Sequence, residues 1–465
     1  MNKFLLFALI YGLTACHVGQ DYTRKEILSD DDVQSNLNLQ GKYKAGISPN
    51  WYEIFNDNDL NTLLSYAAFH NLTIKQTVER LKQSRLAFEI HAKDYYPKIE
   101  GNGEYDFNKV DTPHKYAFDT NLFKVGLDVA WELDIWGKGD YISDQYFEFM
   151  NKISYSLLDV KASVTAEITQ NFINLRLAQE KLYIVQQNLK LQREILQTVL
   201  DKYNAGMSDD LDLSQAQFSV EETKTQIPTL KFSIENYKNS LAVLLGVAPN
   251  NLPINLNKYS RNITAIPFKY NVQNFYNLPL DIVRNRPDIK AAETDIKIQN
   301  AKVNESITDL YPRISLGATF GFISPSGHEL FSNKSQIYSY NPQFSIPIWN
   351  WKQLKNNIEL QRHIKEEYIL NYNEALLTAL TEIKNVLYSI EQAYKRNIYA
   401  RNSYVKMQNI MILTKKKYKN GLVDFTDVAL AEKDLLTSQN RLAETNAQIL
   451  ENITLFYKSI GGGYH

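Results

Sequence analysis

The chain has 465 residues, long enough for one sizeable core or for several domains. Its 51 basic and 52 acidic side chains nearly cancel, so the charge gives no support for a nucleic-acid partner. Hydrophobic residues make up 44% of the chain, and beyond the N-terminus no run of eighteen apolar residues predicts a membrane-spanning helix.

The N-terminus has the form of a secretory signal. Residues 1–3 form a short basic start, and residues 4–13 form an apolar stretch that is too short to span a membrane. The stretch ends in Leu13-Thr14-Ala15-Cys16. This tetrapeptide resembles a bacterial lipobox, in which the cysteine is lipidated and becomes the first mature residue. Because Cys16 is the only cysteine, we expect no internal disulfide and no thiolate metal cluster. An ordinary signal with a chance cysteine is the alternative.

The region after the signal is polar before it becomes helical. Residues 16–50 show no period and predict an extended linker from the lipid anchor. Residues 51–55 open a helical region, and residues 57–59 supply a cap before an apolar run. A further helix is predicted from about Leu72 to Asp94.

Four later segments alternate apolar and polar residues, which is typical of strands with one apolar and one polar face. Each is about ten residues or longer, the length that a tilted strand needs to cross a bilayer. A soluble antiparallel sheet that covers a core is the alternative. The residues expected on the apolar faces are Ile99, Gly101, Gly103, Tyr105 and Phe107 in the first strand; Phe123, Val125, Leu127, Val129, Trp131 and Leu133 in the second; Ile314, Leu316, Ala318, Phe320 and Phe322 in the third; and Tyr338, Tyr340, Phe344, Ile346 and Ile348 in the fourth.

Two long runs contain neither glycine nor proline. One lies between Gly139 and Gly206, and the other extends from Ile348 to Asn420. As one helix, the second run would measure on the order of 100 Å. Both runs carry apolar stripes at coiled-coil spacing, and a return helix follows each closing glycine, so each run predicts a long antiparallel helical hairpin. The stripes are Val160, Val164, Ile168, Phe172 and Leu175; Leu376, Leu380, Ile383, Leu387, Ile390 and Tyr394; and Val428, Leu435, Leu442, Ile449 and Phe456.

The chain is an internal duplication of a strand pair followed by a helical hairpin. Tyr203 corresponds to Tyr418 and Tyr96 to Tyr311, and both pairs differ by 215 positions (418 − 203 and 311 − 96). Four strands cannot close a barrel, and open strand edges are not tolerated in lipid, so the chain must oligomerise. Two copies would give eight strands and three would give twelve, and the residues alone do not choose between them. A polar inward face favours the wider, water-filled barrel.

Prolines and glycines predict several local features. Pro228 should kink or interrupt the return helix of the first hairpin, and residues 246–277 should form an irregular junction. Arg286-Pro287-Asp288 predicts a helix start, with proline and an acidic residue in the first turn. Residues 461–463, all glycine, predict a helix stop and a flexible tail.

The hairpin tips hold the sharpest candidates for functional residues. Gly206 and Gly421 should adopt the positive φ of a tight helix-ending turn. Each chain would place five carboxylates near the symmetry axis of the oligomer, at the mouth formed by the hairpin tips. Together they would attract cations, and their mutual repulsion would oppose closure of this mouth. Helix capping is the competing interpretation for the first acid after each turn. The acids are Asp209, Asp210 and Asp212 in the first copy, and Asp424 and Asp427 in the second.

Enzyme functions are not supported by the residues present. The seven histidines are scattered, with no two at a metal-ligand spacing on one helix. No phosphate-binding loop or nucleophile elbow occurs, and we interpret His91 and Asp94 as an exposed neighbouring pair. We therefore expect no catalytic residue, no metal site and no cofactor.

A series of short motifs extends along the whole chain in a specific order and spacing, although each motif is weak alone. They are Leu13-Thr14-Ala15-Cys16, Trp51-Tyr52-Glu53-Ile54-Phe55 with Asp59-Leu60, Trp131-Glu132-Leu133-Asp134-Ile135-Trp136-Gly137, Leu241-Ala242-Val243-Leu244-Leu245-Gly246, Arg286-Pro287-Asp288-Ile289, Tyr311-Pro312-Arg313-Ile314-Ser315-Leu316, Ile346-Pro347-Ile348-Trp349 and Leu455-Phe456-Tyr457-Lys458-Ser459-Ile460-Gly461-Gly462-Gly463. With these motifs the chain resembles the outer-membrane efflux protein family, the TolC-like channels, and within it the lipidated OprM-type branch.

The resemblance implies a mixed α and β homotrimer, with a twelve-stranded β-barrel in the outer membrane of a Gram-negative bacterium and a twelve-helix barrel in the periplasm. The tips, with Tyr203, Gly206, Tyr418 and Gly421, would contact a periplasmic membrane-fusion adaptor that is coupled to an inner-membrane RND-type pump. The chain itself would be the passive exit duct of this tripartite system and would conduct drugs or other small molecules.

Two further details follow from the same resemblance. His17, which is not aspartate, follows Cys16 and favours sorting to the outer-membrane lipid. The position that often carries a constricting aspartate is Leu430 here, so charge at the gate would come from Asp427, one turn earlier. Two other functions stay open: a conduit for type I protein secretion, and a lipid-anchored coiled-coil spacer that forms no pore.

The expected organisation has ten segments. These are the signal peptide (1–15), the lipidated linker (16–50), the equatorial and barrel helices of the first copy (51–95), strands 1 and 2 (96–135), hairpin 1 (136–245), the equatorial linker (246–276), the barrel helices of the second copy (277–310), strands 3 and 4 (311–348), hairpin 2 (349–460) and the tail (461–465).

Overall fold

The computed structural model describes residues 18–23, 29–37, 50–110, 118–257 and 280–463. Within them the fold is mixed α and β, as predicted, and the chain divides into two compact units. Short 3₁₀ helices occupy Trp51–Phe55, Leu280–Ile282, Gly327–Glu329 and Asn333–Ser335. The main elements are α1 (Asp30–Leu37), α2 (Asn58–His70), α3 (Leu72–His91), β1 (Lys98–Val110), β2 (Phe118–Glu132), α4 (Lys138–Asn204), α5 (Asp210–Leu245), α6 (Pro287–Thr308), β3 (Arg313–Ser324), β4 (Gln336–Ser345), α7 (Trp351–Lys419) and α8 (Phe425–Ser459).

The strands lie in the first unit and form one antiparallel sheet in the order β1-β2-β3-β4. The register brings the predicted apolar residues together on one face, as in the row Ile99, Val129, Ala318 and Tyr340. Strands from the two copies meet at the β2–β3 pair, while β1 and β4 form the edges of the sheet in this chain.

The opposite face of the sheet is polar and hydrogen-bonded across the strands. The Asp128 carboxylate accepts hydrogen bonds from the Asn102 amide on β1 and, at 2.7 Å, from the Thr319 hydroxyl on β3. On the same face Gly126 and Gly321 lie directly opposite each other. A Cβ atom at Gly126 would lie 2.8 Å from the Phe320 carbonyl oxygen, so the close approach of β2 and β3 depends on glycine.

The second unit holds the helical core, formed where the predicted stripes of α4, α7 and α8 are buried. Coiled-coil spacing predicts this burial because residues three and four apart lie on one face of a helix. The residues of the stripes that are fully buried include Ile168, Phe172, Leu175, Leu376, Ile383, Leu387, Ile390, Val428 and Phe456.

Arg286 links three elements at the start of α6. Its guanidinium contacts the Asp288 carboxylate at 2.7 Å and the Glu382 carboxylate of α7 at 2.8 Å, and donates to the Ser459 carbonyl of α8 at 2.9 Å. Pro287 begins α6 and Asp288 lies in its first turn, so the predicted helix start is confirmed. The last carbonyl groups of α8 have no hydrogen-bond donor within the helix. Arg286 donates to one of them, that of Ser459, and its positive charge is favourable at the negative end of the helix dipole.

Four local predictions differ from the structure. Of the two outcomes predicted for Pro228, a kink or an interruption of the return helix, the interruption does not occur, since α5 is continuous from Asp210 to Leu245. One missing N–H costs a single hydrogen bond, and buried neighbours on both sides hold the helix. The helix predicted to reach Asp94 ends at His91, where the imidazole Nδ1 lies 2.7 Å from the Asp94 carboxylate.

The other two differences concern segments predicted to be loose. Within the supposed extended linker, Asp30–Leu37 is helical because Ser29 and Asp32 form a reciprocal cap and Val33 and Leu37 are buried. The first three residues of the predicted flexible tail, residues 461–463, are buried and have positive φ angles. Cys16, the signal, the loop at 111–113 and most of the equatorial linker lie outside the described residues.

Candidate functional site at the hairpin tips

The two hairpin tips have the same turn geometry, as the duplication predicts. Gly206 and Gly421 have φ angles of 69° and 70°. In each turn the residue after the glycine donates to a carbonyl five positions earlier: Met207 to Lys202 at 2.8 Å, and Leu422 to Lys417 at 3.0 Å. A Cβ atom at either glycine would meet nothing within 4 Å, so only the backbone conformation requires glycine there.

The two aspartates at the helix starts differ in their hydrogen bonds. Asp209 precedes α5 and its side chain accepts from the Asp212 amide at 2.9 Å, so the capping interpretation is correct. Asp424 holds the equivalent position before α8, but its side chain makes no cap hydrogen bond. At this equivalent position, the Asp209 carboxylate caps α5, whereas the Asp424 carboxylate makes no cap hydrogen bond and is exposed.

The remaining acids and Leu430 have separate surroundings. Asp210 is exposed, and its hydrogen bond with Tyr203 raises the pKa of that phenol. Asp212 is half-buried, and the Ser208 hydroxyl donates to its carboxylate at 2.9 Å. Asp427 and Leu430 are both exposed on α8. These acids stay open to solvent along the first turns of α5 and α8, where the helix dipoles favour negative charge.

Tyr203 and Tyr418 are equivalent by duplication but not by environment. Tyr418 is 5% exposed, so its ring lies below the surface of the tip, whereas Tyr203, Gly206 and Gly421 are exposed. The Lys202 ammonium lies 3.8 Å from the centroid of the Tyr418 ring and donates to the Tyr418 carbonyl at 2.7 Å. Lys202 was not singled out by its sequence, and it joins the first tip to the second.

Beneath the tips the two hairpins share one apolar cluster. We call it the tip core, and its members come from α4, α5, α7, α8 and the short segment before α8. Its buried residues are Ile195, Val199, Ala216, Met411, Tyr418, Phe425, Val428, Ala431 and Leu435. Because all four helices contribute, displacement of one tip relative to the other would expose apolar surface.

Glu432 is a buried acid next to the tip core, which sequence reasoning missed. It is 4% exposed, and its Oε1 atom accepts no hydrogen bond within the described residues. Burial raises the pKa of this carboxyl to about 7, and the Lys415 ammonium of α7 opposes part of the rise. A signal was present, since Val428, Glu432 and Leu435 continue the four–three spacing of the α8 stripe.

Glu432 lines a groove between α5 and α8 that we call the α5–α8 groove. The groove has a volume of about 730 Å³, with Gln192 of α4 also contributing to its wall. Its apolar lining includes Phe218, Ala429, Leu430 and Leu436. Gln192 and Asn440 also line it, and their Oε1 and Oδ1 atoms, like Glu432 Oε1, are buried and accept no hydrogen bond among the described residues.

Within the described ranges, no group of three or more histidine, cysteine, aspartate or glutamate side chains could hold a metal ion. None of the helices described is both long and apolar enough to cross a membrane.

Comparison with known proteins gives consistent results. The family model "Outer membrane efflux protein" matches residues 63–247 and 278–462. The cation efflux system protein CusC of Escherichia coli O6:H1 is 24% identical over 469 residues, covering 99% of both chains. The solvent efflux pump outer membrane protein SrpC of Pseudomonas putida is 25% identical, covering 90% of this chain and 88% of that protein.

The fold also has a close counterpart among solved structures. The Campylobacter jejuni CmeC outer membrane channel superposes with a TM-score of 0.87 at 23% identity. The match covers 97% of this chain and 96% of the channel, so it includes both the strands and the long helices.

Proposed function

The chain belongs to the outer membrane efflux protein family, and we propose that it is the exit duct of a tripartite efflux system that conducts small molecules passively. The observation that carries this proposal is the pairing of a two-faced sheet with two long helical hairpins in one duplicated chain. The sheet supplies an apolar face for lipid and a polar face for water, and the hairpins extend the conduit beyond the membrane.

The sheet edges require a closed oligomer, and we propose a homotrimer as the resemblance implies. In one chain β1 and β4 are edges, and open edges do not occur in the hydrocarbon region of a membrane because their polar groups would have no partners. Pairing β4 of one copy with β1 of the next removes every edge, and three copies give twelve strands. The Asp128, Asn102 and Thr319 hydrogen bonds would then lie on the wall of a water-filled lumen.

The partners follow from the passive character of the duct. A passive duct needs a separate protein to drive transport, and an inner-membrane RND-type pump would have this role. A membrane-fusion adaptor would connect the pump to the duct. Tyr203, Gly206 and Gly421 are exposed at the tips and supply the adaptor contact, while the buried Tyr418 ring supports them from behind. The named relatives carry cations or solvents, and we propose small molecules as the cargo here.

Lipidation at Cys16 would anchor the trimer to the outer membrane. The lipobox form of Leu13-Thr14-Ala15-Cys16 supports this step. A Cys16→Ser variant should lose palmitate labelling and show altered membrane fractionation. Labelling that persists in Cys16→Ser cells would contradict the anchor but not the duct.

The duct is tested by measuring accumulation of a fluorescent pump substrate in cells that lack this protein. We expect increased retention, restored to the original level by the wild-type gene and not by the Cys16→Ser gene. Unchanged retention across several dyes and antibiotics would contradict small-molecule efflux, and secretion of a polypeptide would then be the function to test.

A further inference from the structure

We propose that the α5–α8 groove is a binding site for an amphipathic organic cation, whose positively charged nitrogen is held by the Glu432 carboxylate. Glu432 is buried next to Ala431 of the tip core, whereas the tip acids Asp210 and Asp427 are exposed, so this site is distinct from those acids. It would bind a small molecule between α5 and α8, with Leu430 among the lining residues.

The polar atoms of the groove call for a hydrogen-bond donor. Glu432 Oε1, Gln192 Oε1 and Asn440 Oδ1 are all acceptors, and none accepts a hydrogen bond from a described residue. Burying such groups without a donor is costly, and a carboxylate costs more than an amide. An ammonium or other charged N–H group bound in the groove would donate to the Glu432 carboxylate and neutralise its charge.

The size and walls of the groove favour an organic molecule over a bare ion. Its volume of about 730 Å³ exceeds the ~30 Å³ of a water molecule many times and lies within the range of small-molecule sites. The apolar side chains on its walls can cover a hydrocarbon or aromatic body. The exposed ring of Phe218 offers a face to a cation.

The charged groups around Glu432 do not supply the missing donor. Lys415 of α7 lies 3.6 Å from the Glu194 carboxylate of α4 and forms an ion pair with it. Lys433 of α8 and Glu222 of α5 are both exposed at the rim, where solvent screens their charges. Of the charged side chains that line the groove, only Glu432 is therefore buried.

The duplication supplies an internal comparison. The position equivalent to Glu432 in the first copy is 432 − 215 = 217, which is an exposed glutamine. The buried acid thus belongs to the second copy alone. Glutamine at this position also identifies Glu432→Gln as a substitution that keeps the shape and removes the charge.

The test is a binding titration with purified full-length protein in phosphatidylcholine nanodiscs. Rhodamine 6G, an amphipathic cation with N–H donors, serves as the probe, and fluorescence anisotropy is the readout. At pH 8 we expect saturable binding that weakens about tenfold in Glu432→Gln, because a charged hydrogen bond is lost. Binding by wild type should also weaken as the pH falls to 5.5, because a carboxyl with a pKa of about 7 becomes protonated.

Controls separate this site from general attraction to the protein or lipid. Glu222→Gln removes an exposed carboxylate of the same groove and should change the affinity less than twofold. Fluorescein, an anion of similar size, should not bind. Equal affinity of wild type and Glu432→Gln for rhodamine 6G, or equal binding of fluorescein, would overturn the proposal.

A second variant keeps the test decisive if Glu432→Gln fails to assemble. Phe218→Ala removes an exposed wall of the groove and should weaken rhodamine 6G binding severalfold without disturbing the fold. Unchanged affinity in Phe218→Ala, with binding by wild type that does not vary with pH, would also overturn the site. The titration measures binding and not transport. The groove proposal can therefore be overturned even if the retention experiment supports the efflux duct.

Discussion

At the scale of single residues, Glu432 makes stability depend on pH. Its pKa is about 7 in the folded protein, against an ordinary value of 4.5. The folded state therefore holds its proton more tightly than the unfolded state does. The contribution to stability is fully present below pH 4.5, falls as the pH rises, and is lost above pH 7. The shift corresponds to about 3 kcal/mol.

We predict that Glu432→Gln raises the thermal unfolding temperature at pH 8 and changes it little at pH 4.5. Glutamine cannot ionise, so the variant avoids the cost of a buried carboxylate at the higher pH. Unfolding of purified wild type and variant at both values measures the difference, with Glu222→Gln as the exposed control. An equal shift at both pH values would indicate a packing effect instead.

The two helix-start aspartates permit a second residue-level prediction with a matched control. Asp209→Ala should destabilise the first hairpin by about 1 kcal/mol, because a side-chain cap bond is lost. Asp424→Ala should cost less, since that side chain makes no cap bond. Hydrogen exchange at the first turns of α5 and α8 would measure both, and equal effects would show that the cap bond does not matter.

At the scale of elements, the long helices depend on a few tertiary links at their ends. Arg286 is the clearest, because one guanidinium joins the start of α6 to α7 and to the end of α8. Its side chain is 11% exposed, whereas the side chains of Asp288 and Glu382 are 41% and 49% exposed, so solvent screens the carboxylate side of both pairs. Removing it would leave Glu382 and the Ser459 carbonyl without this partner.

We predict that Arg286→Ala lowers the free energy of unfolding by about 2 kcal/mol, less than for a fully buried pair because both carboxylates are partly exposed. Arg286→Lys should recover only part of this, because an ammonium cannot satisfy three acceptors in the same planar arrangement. Arg362→Ala, which removes an exposed pair with Glu359 within α7, is the control and should have little effect. A loss as small as in that control would contradict the prediction.

At the scale of the whole molecule, the tip acids can create a combined negative charge only if several copies of the chain are arranged around one symmetry axis. Five acids per chain would give 5 × 3 = 15 in a trimer. The structure places Asp427 on an exposed face, half-buries Asp212 and assigns Asp209 to capping. We therefore propose Asp212 and Asp427 as the acids that give the duct mouth its charge, with the exposed Leu430 one turn beyond Asp427.

We predict that Asp212→Ala combined with Asp427→Ala lowers the cation selectivity of the reconstituted channel. Fewer carboxylates near the axis attract fewer cations, so the reversal potential in a salt gradient should shift toward zero. Asp424→Ala is the control for an exposed acid that is not assigned to the mouth. Reversal potentials unchanged in the double variant would contradict this role.

Much of the fold could be predicted because its signals are local and repeated. Strand parity predicted the faces of the sheet, glycine predicted the positive φ at both turns, and the stripes predicted burial in α4, α7 and α8. Helix α1 was missed because a cap and two apolar residues are a weak pattern in a polar stretch. The burial of residues 461–463 depends on other elements, which no local pattern reports.

The sequence by itself determined the duplicated plan, the two-faced strands and the equivalent turns, because periodicity and backbone conformation act over a few neighbouring residues. Only the tertiary structure decided how equivalent positions differ. Tyr418 is buried where Tyr203 is exposed, and Glu432 is buried where Gln217 is exposed. The reason is physical: burial, hydrogen bonding and the pKa of an acid depend on which helices pack around it, and the two hairpins pack with different neighbours.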